Sequence, residues 1–404
     1  MKRTDWLGLC FDMMEAYMPS DYEELESIAR FIPISVHAET VTQYYLSISR
    51  QGDAPIKAAE MFEKIGEFYD ECGVFDNVLN NYFSSLRIKE ERLGKKHPET
   101  AILCDNIGLF FTKTGKFDEA IKWHNRAIAI FEETLGEEHQ DTAIAYNNLG
   151  LALEKQGKYD LAIGWYQKSL RIDEAVLGHE HIDTAADYNN LGGVYLKKGD
   201  YEIALEYLLK AKDMKEALLG ENHPNTAITY NNLGSVYWRL KEYDKALFYT
   251  EKSLAIYKEM FGENHHSTAL GYGNVASIVA SKGDYDKAKS LYVRSLEIDK
   301  KVLGLFHPET AKNYMNIGTI FVDEGCAMDT ETDFVDKGCI KQALLYFILA
   351  YKLFLEVVDD QHDDVLHVLK HLKAAHEHLG IGEPFPQWLS RKINKTLEEL
   401  EVAI

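Results

Sequence analysis

The sequence predicts an all-α solenoid, a right-handed superhelix of about nine stacked helical hairpins. Three observations predict it. The first is a 42-residue ladder on which His97, His139, His181, His223, His265 and His307 fall, as do Asn106, Asn148, Asn190, Asn232, Asn274 and Asn316. The second is the helical spacing of apolar residues inside each rung. The third is glycine at fixed places where a helix must stop. A period of this length marks units that cannot bury their own apolar faces until a neighbour covers them.

The rung from 139 to 178 shows how each element is read. Ala143, Tyr146, Leu149, Gly150 and Leu153 lie on one face of a first helix, helix A, which Gly157 ends. Tyr159, Ala162, Ile163, Tyr166, Leu170 and Ile172 mark a longer second helix, helix B, running to Leu177 and Gly178. Gly108, Gly150, Gly192, Gly234 and Gly318 recur inside helix A, with Ala276 standing in once. Glycine there costs about 1 kcal/mol relative to alanine, so its recurrence implies close helix contact. Ala120, Ala162, Ala204, Ala246 and Ala288 repeat on helix B, and Tyr159, Tyr201, Tyr243 and Tyr285 are expected to fill the gaps that the small residues leave. Gly115, Gly157, Gly199, Gly283 and Gly325 are expected to close the hairpin turns. Residues 1–54 read as degenerate N-terminal capping helices, 55–361 as the array with an inserted loop at about 326–338, and 362–404 as C-terminal capping helices.

This arrangement resembles the tetratricopeptide repeat. The resemblance rests on the linker from Leu93-Gly94 through His97-Pro98 to Thr100-Ala101, and on cores such as Tyr146-Asn147-Asn148-Leu149-Gly150. The 42-residue length is similar to repeats of the kinesin light chain type. The resemblance implies a peptide-holding concave surface lined by helix A, with the ladder asparagines bonding the backbone of an extended partner. It does not imply cargo transport, because no long heptad segment accompanies the repeats. The paired Lys and Arg clamp by which some relatives hold a chaperone's terminal carboxylate is not reproduced, since Asn, Gly or Ser stands at the matching positions.

Composition narrows the function classes. With 65 Asp and Glu against 44 Lys and Arg, the net charge of −21 disfavours nucleic acid, whose phosphates need clustered cations. No run approaches the roughly 18 unbroken apolar residues of a membrane span, so no membrane insertion is expected. The scattered cysteines, Cys10, Cys72, Cys104, Cys326 and Cys339, suit free thiols in a reducing compartment. The short apolar run Trp6 to Phe11 is too brief for a signal-peptide core, so a cytoplasmic location is expected, although a protein exported without a cleaved signal looks the same.

The candidate groove residues are Asn106, Asn147, Asn148, Asn189, Asn190, Asn231, Asn232, Asn274 and Asn316, joined by a basic file of Lys113, Lys155, Lys197 and Arg239. A carboxamide both donates and accepts, so it clasps a peptide unit whatever its side chain. Two other readings stand beside this one: the asparagines bond backbone in the adjacent repeat, and the cations answer helix C-termini. As a groove, the basic file favours a partner with acidic residues among apolar ones.

Metal chemistry has weaker support. The linker histidines are too far apart to share an ion and are expected to serve the next helix N-terminus. His367 and His371 form an i, i+4 pair, but Val368 follows where a metalloprotease helix carries Glu. The acidic insertion, with Asp329, Glu331, Asp333 and Asp336, lacks the glycine and closing glutamate of a calcium loop. No cofactor and no catalytic motif is expected. The sequence therefore points to a non-enzymatic adaptor or scaffold for a protein or peptide partner, of undetermined oligomeric state. A regulatory sensor or self-associating scaffold of a signalling or secretion system is the alternative, and a metal-dependent enzyme on His367 and His371 a third.

Overall fold

The computed structural model describes residues 39–43, 46, 54–71, 74–327, 337–357 and 363–393. The described residues are helical wherever they are regular, and no strand occurs among them. They divide into two compact units, Met1–Lys198 and Gly199–Ile404. The first holds α1 (Ala54–Glu71), α2 (Phe75–Arg92), α3 (Pro98–Lys113), α4 (Phe117–Thr134), α5 (Gln140–Lys155), α6 (Tyr159–Val176) and α7 (Ile182–Lys198). The second holds α8 (Tyr201–Leu219), α9 (Pro224–Arg239), α10 (Tyr243–Phe261), α11 (His266–Ser281), α12 (Tyr285–Val302), α13 (Pro308–Ala327), α14 (Lys337–Val357), α15 (Asp363–His378) and α16 (Phe385–Ile393). Within each unit every helix packs on the next through α15, and helix A also touches helix A of the neighbouring repeat, as α3 on α5 and α9 on α11. These consecutive packed pairs form a helical-hairpin solenoid.

The linker motif has a local physical cause. The Nδ1 atoms of His97, His139, His181, His223, His265 and His307 each accept a hydrogen bond from the backbone N–H two residues on, at 3.1–3.2 Å. Each histidine thus satisfies a helix N-terminus that has no intrahelical acceptor. Three residues later Thr100, Thr142, Thr184, Thr226, Thr268 and Thr310 donate their hydroxyls back to the carbonyl of the glycine that ended the previous helix. One His and one Thr per repeat therefore set the angle at which the next hairpin begins.

The glycines inside helix A are spaces for a ring. A Cβ on Gly150 would lie 2.8 Å from the Tyr166 ring, one on Gly108 would lie 2.6 Å from His124, and one on Gly318 would lie 2.8 Å from Phe347. The filling side chains are thus in the middle of helix B. Tyr159, Tyr201, Tyr243 and Tyr285, expected to fill these gaps, instead open helix B and are half-buried. The physical reason is register: the mid-helix glycine faces a point two helical turns into its antiparallel partner.

Gly115, Gly157, Gly199 and Gly283 adopt φ of 76°, 82°, 98° and 86° at the hairpin turns, the left-handed region in which a side chain is strained. Gly325 does not. Helix α13 continues through it to Ala327, so the position that matches by count falls inside a longer helix A. At the equivalent position after α9 stands Lys241, with φ 63°. Lys241→Gly is expected to raise stability by about 1 kcal/mol by relieving that conformation, a change measurable as a higher midpoint in thermal unfolding.

Helix α14 is by length and composition apolar enough to cross a membrane. Ile340, Phe347, Leu353 and Phe354 are buried, and the helix packs on α13, α15 and α16, so its apolarity serves a core flanked on several sides. The expected N-terminal cap lies mostly outside the described residues, as does the 328–336 part of the insertion. At the far end, α15 and α16 occupy the expected C-terminal capping region, and residues 394–404 lie outside the description.

Candidate functional site

Helix A presents the same face in each repeat. On α3, Ile102, Asn106, Leu109 and Lys113 follow one another at helical spacing, and on α5 Ile144, Asn148, Leu151 and Lys155 do the same. The first position is apolar and exposed at Ile102, Ile144, Ile228 and Leu270. In the first unit, a cleft of about 260 Å³ opens between α3 and α5, lined by Ile102, Asp105, Asn106, Leu109, Phe131, Asp141, Ile144 and Asn148. An exposed aliphatic row beside a row of carboxamides offers apolar contact and backbone-type hydrogen bonds together.

The asparagines are held by side chains of the neighbouring repeat. Asn148 Nδ2 donates to Asp105 Oδ2 at 2.6 Å, Asn190 Nδ2 to Asn147 Oδ1 at 3.2 Å, and Asn274 Nδ2 to Asn231 Oδ1 at 2.6 Å. The expectation set backbone bonding against groove function. The bonds seen here are to side chains, and each leaves Asn148, Asn190 and Asn274 with an Oδ1 and a second N–H to offer. The ladder therefore orients those amides without consuming them.

Other members of the expected set are placed differently. Asn147 is committed at both ends, since its Nδ2 donates to Asp187 Oδ1 at 2.5 Å while its Oδ1 accepts from Asn190. Asn189 is buried, so it faces the interior rather than the surface. Asn232 is half-buried; Asn106 and Asn316 each line a cleft. The basic file is largely engaged within the fold. Lys113 bonds the Asp70 carboxylate at 3.0 Å, and Lys197 bonds Glu154 at 2.7 Å. Arg239 lies 4.5 Å from the Trp238 ring centroid, and Lys155 is exposed on α5.

Two buried polar clusters support the ladder from beneath. In the first, His124 Nδ1 and Asp105 Oδ1 are 2.6 Å apart, and Thr112 Oγ1 lies 3.5 Å from His124 Nε2. His124 has no solvent exposure. It stands where Tyr166 stands in the next repeat, and Asp105 stands where Asn147 does. In the second, Asp187 accepts from Asn147 and from Ser169 Oγ at 3.3 Å, with Asp173 beside it. Burial, followed by the Asp173 charge, pushes the Asp187 carboxyl up to about 8, and burial raises Asp173 as well. Near neutral pH one proton held between two carboxyls is the arrangement that spares this site a pair of like charges. Sequence reasoning missed both clusters. For the first, the readable signal was Asp105 where Asn147, Asn189 and Asn231 stand, with His124 where Tyr166, Leu208, Thr250 and Tyr292 stand; the second lies off the asparagine ladder, at positions that vary from rung to rung.

His367 and His371 bring their Nε2 atoms to 3.1 Å, and the His371 ring stacks on Phe347. Among the described residues no three His, Cys, Asp or Glu side chains gather as a metal centre.

Fold and face together define an α-helical repeat scaffold with a polar and aliphatic row on helix A. The tetratricopeptide repeat family matches residues 101–175, 141–217, 183–259 and 267–325, more than half of the chain, and the chain belongs to that family. No curated protein matches it in sequence. Among solved structures it is similar to BtubC (BKLC) from P. vanneervenii, at 22% identity over 58% of this chain and 92% of that one, with a TM-score of 0.50. The nearly identical TPR-like repeats of a kinesin light chain homologue from Podosopora anserina align at 21% identity over 51% and 97%, with a TM-score of 0.43. The apo form of RapI aligns at 19% over 73% and 99%, with a TM-score of 0.49. These likenesses concern the fold alone.

Proposed function

We propose that this chain is a non-enzymatic adaptor whose helix A face holds an extended or helical segment of a partner protein. Tetratricopeptide repeats are typical of protein–protein interaction scaffolds. The observation that carries the reading is the row of carboxamides on Asn148, Asn190 and Asn274, oriented by the adjacent repeat and still able to donate and accept. Pre-oriented groups lose less freedom on binding, which is where affinity is gained. The exposed Ile102, Ile144, Ile228 and Leu270 supply apolar contact for alternate partner side chains. Lys155, exposed on α5, favours an acidic residue beside it. The cytoplasm is the compartment we assign, from the odd number and scatter of the five cysteines in the sequence.

A partner captured from native lysate and then purified provides the test. The triple variant Asn148→Ala, Asn190→Ala, Asn274→Ala is expected to bind it roughly 100-fold more weakly, at about 1 kcal/mol for each lost hydrogen bond, with helicity by circular dichroism unchanged. Equal affinity in the titration removes the reading.

A further inference from the structure

The basic file of helix A reverses sign when its register is followed further. Lys113, Lys155, Lys197 and Arg239 are succeeded at the same spacing by Ser281 on α11 and Asp323 on α13. In the second unit these last positions border a cleft of about 330 Å³, lined by Trp238, Ser281, Tyr285, Tyr292, Asn316 and Asp323 among others. Its hydroxyls and indole are fixed: Trp238 Nε1 donates to Ser281 Oγ at 2.7 Å, Ser281 Oγ donates to the Ser277 carbonyl at 2.9 Å, and Ser277 Oγ lies 2.5 Å from the Tyr292 hydroxyl.

The neighbouring cations are engaged elsewhere. Lys282 pairs with Asp244 at 2.6 Å, Lys289 with Glu324 and Asp286 at 3.0 Å each, and Arg239 rests on the Trp238 ring. The Asp323 carboxylate makes no hydrogen bond or ion pair with the described residues. Asp323 is exposed at the cleft's edge, where partial desolvation raises its pKa and no cation offsets that rise. A carboxylate left in this position gains from any cation that enters, and aromatic walls add to the attraction.

We propose that this cleft is a cation subsite that takes the Lys or Arg side chain of a bound segment, with Asp323 as counter-ion and the Tyr285 and Tyr292 rings in its walls. The inference rests on the adaptor reading and refines its partner. A segment lying on the second unit carries a basic residue where it passes α13. The long, partly apolar stem of such a side chain suits a cleft with rings at its sides and charge at its mouth.

The indole N–H of Trp238, hydrogen-bonded inside the cleft, is the reporter. In proton–nitrogen correlation spectra of the full chain, the capped peptide acetyl-Gly-Gly-Arg-Gly-Gly-amide is expected to shift this resonance progressively. The same peptide with neutral citrulline in place of arginine is expected to need roughly tenfold higher concentration for the same shift. Asp323→Asn, isosteric and partly solvent-exposed, is expected to abolish the difference between the two peptides while leaving the other indole resonances in place. Equal response to both peptides in the unaltered chain overturns the subsite, as does discrimination that survives Asp323→Asn. Either failure, found while the asparagine variant still loses the captured partner, removes the subsite and leaves the adaptor reading standing.

Discussion

Asp187→Asn is expected to stabilise the first unit, and to do so more strongly as pH rises. The asparagine Oδ1 can still accept from Asn147 and Ser169, while its new N–H₂ replaces the shared proton as donor to Asp173. The sign follows from proton counting. The Asp187 carboxyl is raised to about 8 in the folded chain, against roughly 4 when unfolded. Between those values the folded state holds more protons than the unfolded one. Its contribution to stability is therefore complete below about pH 4 and is lost as pH rises toward 8. The asparagine variant lacks this loss. Its advantage over the unaltered chain is expected to grow by about 2 kcal/mol between pH 6 and pH 8, read as diverging midpoints in denaturant titrations at the two pH values. A constant difference across that range would show that the two carboxyls do not share a proton.

Asp105→Ala is expected to have the largest destabilising effect among polar replacements on helix A. It removes the acceptor of both His124 and Asn148, and His124 is wholly buried. Stranded buried donors cost about 1–3 kcal/mol each, so a loss of about 3 kcal/mol is expected in denaturant titrations. The next repeat solves the same packing problem with Asn147 and Tyr166, where the Tyr166 hydroxyl donates to Glu154 at 2.8 Å. Thr112 occupies the matching place opposite His124. The double change Asp105→Asn with His124→Tyr is accordingly expected to recover most of the stability. Additive losses from the two single changes would show that the residues are not coupled.

How far each feature was legible depended on whether the repeat itself carried it. The linker histidines recur in six rungs because each rung must cap a helix, so their role followed from spacing; the threonines were visible in the motif, but their bond to the preceding glycine carbonyl was not. The glycine gaps were legible, but their occupants were not. A 42-residue period says that Gly150 faces a large side chain without saying which turn of helix B brings Tyr166 rather than Tyr159 to it. Gly325 misled for a related reason, since a position equivalent in count falls inside a longer helix. The asparagine row was visible as a row. Its orientation by the neighbouring repeat was hidden, because a bond over 43 residues between side chains of adjacent helices leaves no local trace. The buried Asp105–His124 and Asp173–Asp187 pairs were hidden in the same way, each joining side chains of different helices at positions that vary from rung to rung. The Asp323 cleft required the file to be followed beyond Arg239, where its charge changes.

The central claim is that partners dock on the helix A face, and placement of a photo-crosslinking amino acid tests it most directly. Ile144 on α5 and Val176 at the end of α6 are both exposed, so each tolerates the substitution. With the captured partner present, irradiation is expected to give a covalent adduct from position 144 and none from position 176. Adducts from position 176 with none from 144 would contradict the account.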